Sequence, residues 1–162
     1  MWDTIRTDVI SDLDEMEAQT GLKKLYITGI SLGGGLAVIS YIDINNSKVF
    51  DNVEVITYGA PRVANKNYAE YFDAMTKNKS KRYAVKGDPI VVMPECLTLL
   101  CNYKHTGSQY TCIEDQEKCT KDKKTEGIFS DMRWRRRPDP SMQDLGSIVD
   151  HIYGYKKIYN FT

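Results

Sequence analysis

The chain has 162 residues, of which 41% are hydrophobic and 27% charged, and its 22 Lys and Arg balance its 22 Asp and Glu. That length suits one domain around a single substantial core. No run approaches the roughly 20 apolar residues of a membrane-spanning helix, and a zero charge balance withholds the basic surface that nucleic acid wants.

Trp2, Ile5, Val9, Leu13 and Met16 recur at steps of three and four, which predicts an amphipathic helix with this stripe turned inward; Gly21 supplies its stop. The same segment is acidic and lacks the apolar stretch of a signal peptide. "KLYITGI" (Lys24–Ile30) is β-branched and largely apolar, and predicts a buried strand. "GGGLAVISYIDI" predicts a second helix, in which Gly33, Gly34 and Ala37 remove bulk and let it approach a sheet closely. "VEVITYGAP" (53–61) predicts a second buried strand, ended by Gly59 and Pro61. "NKNYAEYFDAMTK" predicts a third helix with Tyr68, Tyr71, Phe72 and Met75 on its inner side. "KRYAVKGDPIVVMP" reads as a third strand closing at Gly87-Asp88-Pro89, and "YKHTGSQYTCI" as a fourth. Residues 114–140 are largely charged and polar, a solvated loop or insertion, and a last helix is expected over about 147–159.

Helices alternate with strands, and each crossover is long enough to join parallel neighbours. The expectation is an α/β fold over 1–162, a mostly parallel sheet flanked by helices. In such sheets chemistry gathers at the carboxyl ends of strands. Ser31, Arg62 and Asp88 all fall just past a predicted strand end.

Cys96, Cys101, Cys112 and Cys119 cluster in one polar third of the chain. An even group suits two disulfides, with three pairings open, and an oxidising, secretory compartment; four free thiols in a cytoplasmic protein are the alternative. A zinc site with His105 is disfavoured, because no C-x-x-C pair exists. Sequons at Asn45, Asn78 and Asn160 carry little weight, since such triplets arise by chance.

Gly29-Ile30-Ser31-Leu32-Gly33 fits G-x-S-x-G between a predicted strand and a predicted helix. A strand that turns this sharply into a helix forces its serine into a strained conformation and demands tiny neighbours. The turn lifts the hydroxyl clear of the sheet. The N–H of Leu32, free at the helix start, can donate to a developing oxyanion. A serine needs a base, and the base needs an acid to orient it. The chain has two histidines, His105 and His151. With the order serine, acid, histidine, His151 is the candidate base and Asp88 the candidate acid. Taken singly, each has a plainer reading: Asp88 in a Gly-Asp-Pro turn, His151 on an amphipathic helix. His105, inside a strand pattern, reads as structural.

A rival pattern overlaps. "TGISLGGG" (28–35) also fits the phosphate-cradling turn of short-chain dehydrogenases, Tyr153 and Lys157 fit their Y-x-x-x-K, and Ser141 lies upstream. Against it, a full helix precedes the turn, and Glu54 sits within its strand rather than closing it to hold a ribose.

"LYITGISLGGGLAVIS", "VEVITYGAPRVANKNYAEYFD", "KRYAVKGDPIVVMP", "YKHTGSQY" and "DHIYGY" stand in the order found in the class 3 lipases, the fungal-type triacylglycerol lipases. The chain resembles that family over roughly residues 2–155. Its G-A-P-R-V block (59–63) and G-D-P…P block (87–94) are far more specific than the serine turn. The resemblance implies an α/β-hydrolase fold and hydrolysis of carboxylic esters, often acylglycerols, with no metal or cofactor. It maps Ser31 to the nucleophile, Asp88 to the acid and His151 to the base, with Gly29 and Gly33 framing the serine. His105 falls outside that triad, and Arg62 matches a structural arginine. Two departures stand out. Ile30 occupies a position where the family usually has histidine. Family members also carry several strands, a lid helix and the first oxyanion-hole residue before the helix matching "WDTIRTDVI", so the chain is expected to correspond to the C-terminal portion. That motivates the alternative of an impaired fragment or pseudoenzyme that binds lipid or a protein partner. "RWRRRP" (133–138) could touch anionic lipid head groups or form a solvated surface run.

Overall fold

The computed structural model describes residues 1–77, 79–86, 88–94, 102–112, 119–122, 151 and 155. Helix α1 (Trp2–Thr20) stops where Gly21 takes φ 67° and its N–H bonds the Glu17 carbonyl. The inward stripe is narrower than the sequence predicts. Trp2 is buried and donates its indole N–H to Asp43 Oδ2 at 2.7 Å, and Val9 and Leu13 pack against the core, whereas Ile5 and Met16 are exposed. The reason is that α1 lies chiefly on one helix, α2 (Leu32–Ser47), which covers a line rather than a face.

Strands β1 (Lys24–Ile30), β2 (Asn52–Tyr58), β4 (Lys81–Val85), β6 (Ser108–Cys112) and β7 (Cys119–Lys121) form one sheet in the order β1-β2-β4-β6-β7. The first four are parallel and β7 is antiparallel to β6. Helix α2 links β1 to β2, and α3 (Lys66–Thr76) links β2 to β4. The α/β-hydrolase architecture expected from the sequence is the one observed.

β1 is not the buried strand the sequence suggests: its residues alternate between exposed and half-buried. Among the described residues it pairs only with β2, and an apolar run does not state how many neighbours a strand has. "YKHTGSQYTCI" also differs. It splits into β5 (Tyr103–Lys104), antiparallel to β3 (Ala64–Asn65) in a separate small sheet, and β6. The break falls at Gly107, whose φ of 75° no strand accommodates. Part of the polar stretch 114–140 is ordered as β7, tied to β6 by the disulfide Cys112–Cys119. The remainder of that stretch, including 133–138, lies outside the described residues, as do Cys96, Cys101, Asn78 and Asn160. Asn45 lies within α2.

One face of the sheet carries the main core. Val53 and Val55 of β2 meet Ala37, Val38, Tyr41 and Ile44 of α2, with Trp2, Phe50 and Phe72. In α3, Ala69, Phe72 and Thr76 are buried while Tyr71 is exposed, so Tyr71 is not on the inner side. The Asn65 side chain caps this helix by accepting the Tyr68 N–H at 2.9 Å. Strand residues alternate between faces, so the opposite face presents Tyr58, Tyr83 and Tyr110, stacked in series at 5.1 and 5.2 Å between ring centroids. Tyr155 packs on that face against Val85 and Cys112.

Candidate active site

Between β1 and α2 the chain turns on Ser31, at φ 54° and ψ −125°. A non-glycine residue here is strained and persists only where its surroundings over-determine it. Two contacts do so. The Ser31 N–H donates to the Tyr58 carbonyl at 2.8 Å, and the Ser31 carbonyl accepts from Gly34 and Gly35 at 3.0 and 3.2 Å. The steric demand falls on particular glycines. A Cβ on Gly29 would sit 2.3 Å from the Gly33 carbonyl oxygen, one on Gly34 2.8 Å from the Ala60 Cβ, and one on Gly35 2.6 Å from Val63 Cγ1. A Cβ on Gly33 would meet nothing within 4 Å. Close helix–sheet approach therefore rests on Gly34 and Gly35. Gly33 bears on the turn through its carbonyl, against which Gly29 must stay bare.

Leu32 is the first residue of α2, where no carbonyl four residues back lies inside the helix to take its N–H. Its side chain is 66% exposed, and Ile30 on the other side of the serine is 40% exposed.

Asp88 follows β4 in a turn and is buried. Its N–H donates to the Val85 carbonyl, and its Oδ1 accepts the Ile90 N–H at 2.8 Å, starting the short 3-10 turn Ile90–Val92. Two buried residues brace that turn from below. Arg62 reaches the carbonyls of Val92 and Pro94 at 2.5 and 3.0 Å. His105 Nε2 lies 2.7 Å from the Val91 carbonyl, which assigns that nitrogen the proton. Burial, reinforced by the Arg82 and Arg62 guanidiniums, holds His105 well below the usual imidazole range, so it stays neutral. Both residues are structural, as the sequence suggests, although His105 lies between strands rather than in one.

His151 is helical and buried, and its Nδ1 is 2.6 Å from Asp88 Oδ2 across 63 residues of sequence. Its Nε2 is buried with no hydrogen-bond partner. Gly59, at φ 58°, makes room for the ring: a Cβ there would lie 2.5 Å from His151 Cε1. Gly59 directly follows Tyr58, whose carbonyl holds the Ser31 N–H. The structure thus joins Asp88 to His151 and sets the imidazole over the strand end that also anchors the serine. No hydrogen bond links Ser31 Oγ to His151 among the described residues; such contacts are often long without substrate and tighten on binding.

The model of the family "Lipase (class 3)" matches residues 1–98. The chain belongs to the class 3 lipases. It is 30% identical over 109 residues to secreted mono- and diacylglycerol lipase A of Penicillium cyclopium, covering 67% of this chain and 34% of that protein. It is 28% identical over 102 residues to secreted mono- and diacylglycerol lipase 2 of Gibberella zeae, covering 57% and 25%. A crystal structure of the N225Q mutant of the Penicillium cyclopium enzyme superposes with a TM-score of 0.60 at 28% identity, over 68% of this chain and 38% of that one. The lipase of Rhizopus microsporus var. chinensis superposes at 0.61 with 25% identity, over 68% and 38%. This lipase chain spans about a quarter to a third of the length of these curated relatives.

Two residues of the candidate site lie outside the triad that the sequence suggests. Gly59, which the sequence marks as a strand stop and as the first residue of the G-A-P-R-V block, is also where the His151 ring approaches the backbone. Tyr155 closes the "DHIYGY" block but has no role assigned from the sequence; it stands four residues after His151, one helical turn away on the same face. Its hydroxyl donates to Asp88 Oδ2 at 2.8 Å and accepts the Val85 N–H at 2.9 Å.

Proposed function

We propose that this class 3 lipase chain carries the machinery of a serine carboxylic-ester hydrolase acting on lipid esters, with acylglycerols as substrate class. Ser31 is the nucleophile, His151 the base and Asp88 the orienting acid. The observation that carries the reading is the buried Asp88–His151 bond at 2.6 Å with Nε2 left unpaired, the ring lying at Gly59, next to the Tyr58 carbonyl that holds the N–H of a serine at φ 54°. The names of the relatives support the acylglycerol class and a secreted location, and the disulfide Cys112–Cys119 agrees with an oxidising compartment.

The chemistry follows from the atoms. Ser31 Oγ adds to the acyl carbon while His151 Nε2 takes its proton, and the carbonyl π pair moves onto oxygen. The N–H of Leu32 donates to that oxyanion. The intermediate collapses by breaking the ester C–O bond, and His151 returns the proton to the leaving alcohol. Water then repeats the sequence on the acyl-serine. Asp88 keeps the Nδ1–H tautomer and stabilises the imidazolium throughout. This reaction needs no cofactor or metal. Exposed Ile30 and Leu32 beside the serine suit transient contact with a lipid surface. Among the described residues no helix is long and apolar enough to cross a membrane.

The test is a fluorophosphonate probe on the full-length protein. Expected are labelling of the wild type, none of Ser31→Ala, and turnover of a short-chain nitrophenyl ester that disappears in His151→Ala. Equal labelling of Ser31→Ala, or a folded wild type that neither labels nor turns over ester, overturns the reading.

A further inference from the structure

The acid of the site is more fully engaged than a serine–histidine–aspartate relay requires. Asp88 Oδ1 accepts from Ile90, while Oδ2 accepts two donors, His151 Nδ1 at 2.6 Å and the Tyr155 hydroxyl at 2.8 Å. Tyr155 is fully buried, and its ring stands edge-on to the imidazole, with centroids 5.5 Å apart and planes at 76°. Its oxygen is anchored in turn by the Val85 N–H across 70 residues. The phenol therefore ties the helical segment bearing the base to the end of the strand bearing the acid.

A tyrosine needed only to fill the core would need no hydroxyl there, and one needed only to satisfy Val85 would need only an acceptor. The donated hydrogen bond lands on the same oxygen that faces the imidazole. It has two consequences. It gives Oδ2 a second hold, so the carboxylate stays fixed about its Cβ–Cγ bond even when the imidazole moves. It also withdraws charge from Oδ2, which moderates the pull of the carboxylate on the imidazolium.

We propose that Tyr155 is a positioning residue for ester hydrolysis: its hydroxyl fixes the Asp88 carboxylate and sets how strongly that carboxylate holds His151. This rests on the hydrolase reading above. Burial, with the nearby Asp88 charge, keeps the phenol well above its ordinary range, so it remains a donor at any working pH. Among the described residues, the charged groups bearing on Tyr155 are Asp88 and the buried Arg82 of β4, and the titratable Tyr58 and Tyr83 pack against the cluster that holds it.

The experiment is Tyr155→Phe in the full-length protein, which keeps the ring and removes the donor. On a short-chain ester kcat should fall about tenfold with KM nearly unchanged, the scale of one hydrogen bond to a charged group. The acid limb of kcat/KM should move to higher pH, because Oδ2 then carries more charge toward the imidazolium. The low-field proton resonance of His151 Nδ1–H should move as well, a readout that needs no turnover. A fluorinated tyrosine at 155, a stronger donor in the same place, should move both signals in the opposite direction, and it decides the matter if the Phe variant does not fold. Wild-type kcat, pH profile and resonance in either variant, with only melting temperature changed, would leave Tyr155 a packing residue and overturn the proposal. A wild type without ester turnover, but with a resonance that responds to Tyr155, would reject the hydrolase reading while leaving the Tyr155–Asp88 coupling intact.

Discussion

Ser31 stands on a turn made by its immediate neighbours, with Gly29 pressed on the Gly33 carbonyl, whereas His151 meets Asp88 across 63 residues and Tyr155 meets Val85 across 70. The first half of the site is backbone sterics, set by close contacts that either fit or do not. The second is a chain of side-chain hydrogen bonds that exists only when a helical segment docks on the sheet. The difference teaches where each half should fail. A change in the serine half should cost the fold. A change in the acid–base half should first cost the alignment of the imidazole.

The largest expected effect joins the two halves. Ser31→Ala and His151→Ala should each lower kcat by about 10⁴-fold or more, and the double variant should lose no more than either alone, because the two groups act as a unit. Additive losses in single-turnover kinetics would break the link between the halves. Next comes a pair of glycines that separates them. Gly29→Ala sets a Cβ against fixed backbone and should cost about 3 kcal/mol in urea unfolding. Gly59→Ala sets a Cβ against the His151 and Tyr155 side chains at a positive φ and should cost about 2–4 kcal/mol, and here kcat falls as well, as the imidazole is displaced. An intact kcat in Gly59→Ala would erase the contrast.

The smallest effect concerns the support beneath Asp88. Folding holds His105 neutral well below the usual range, while the unfolded chain takes up that proton near pH 6.5. Below that point the unfolded state binds more protons, so stability is fully present above it and is lost as pH falls. The loss should be about 1–2 kcal/mol between pH 7 and 5. In His105→Gln, whose amide can still donate to the Val91 carbonyl, that part of the slope should vanish from denaturation curves taken across this range. An unchanged slope would show that other groups carry it.

Much of this was legible beforehand. The order of helices and strands, the stop at Gly21, the serine turn and the pairing of Asp88 with His151 as candidates all came from local pattern and motif order. The half-exposed state of Lys24–Ile30 did not, because an apolar run does not state how many strands flank it, and among the described residues it pairs only with β2. The split of residues 103–112 into two strands turns on one positive φ at Gly107, which "HTGSQ" signals weakly. The family resemblance marks Arg62 as structural and the strand pattern does the same for His105, but neither shows that both brace the turn bearing Asp88.

What the chain specifies alone is whatever lies within one turn of backbone: caps, periodicity, and a serine turn that its bare glycine neighbours permit. Tertiary structure decided the rest, namely which carboxylate oxygen faces His151, that Tyr155 shares it, and that Gly59 makes room for the ring. These depend on angstrom-scale distances between segments more than 60 residues apart, and such distances are fixed by how the sheet and its covering elements pack.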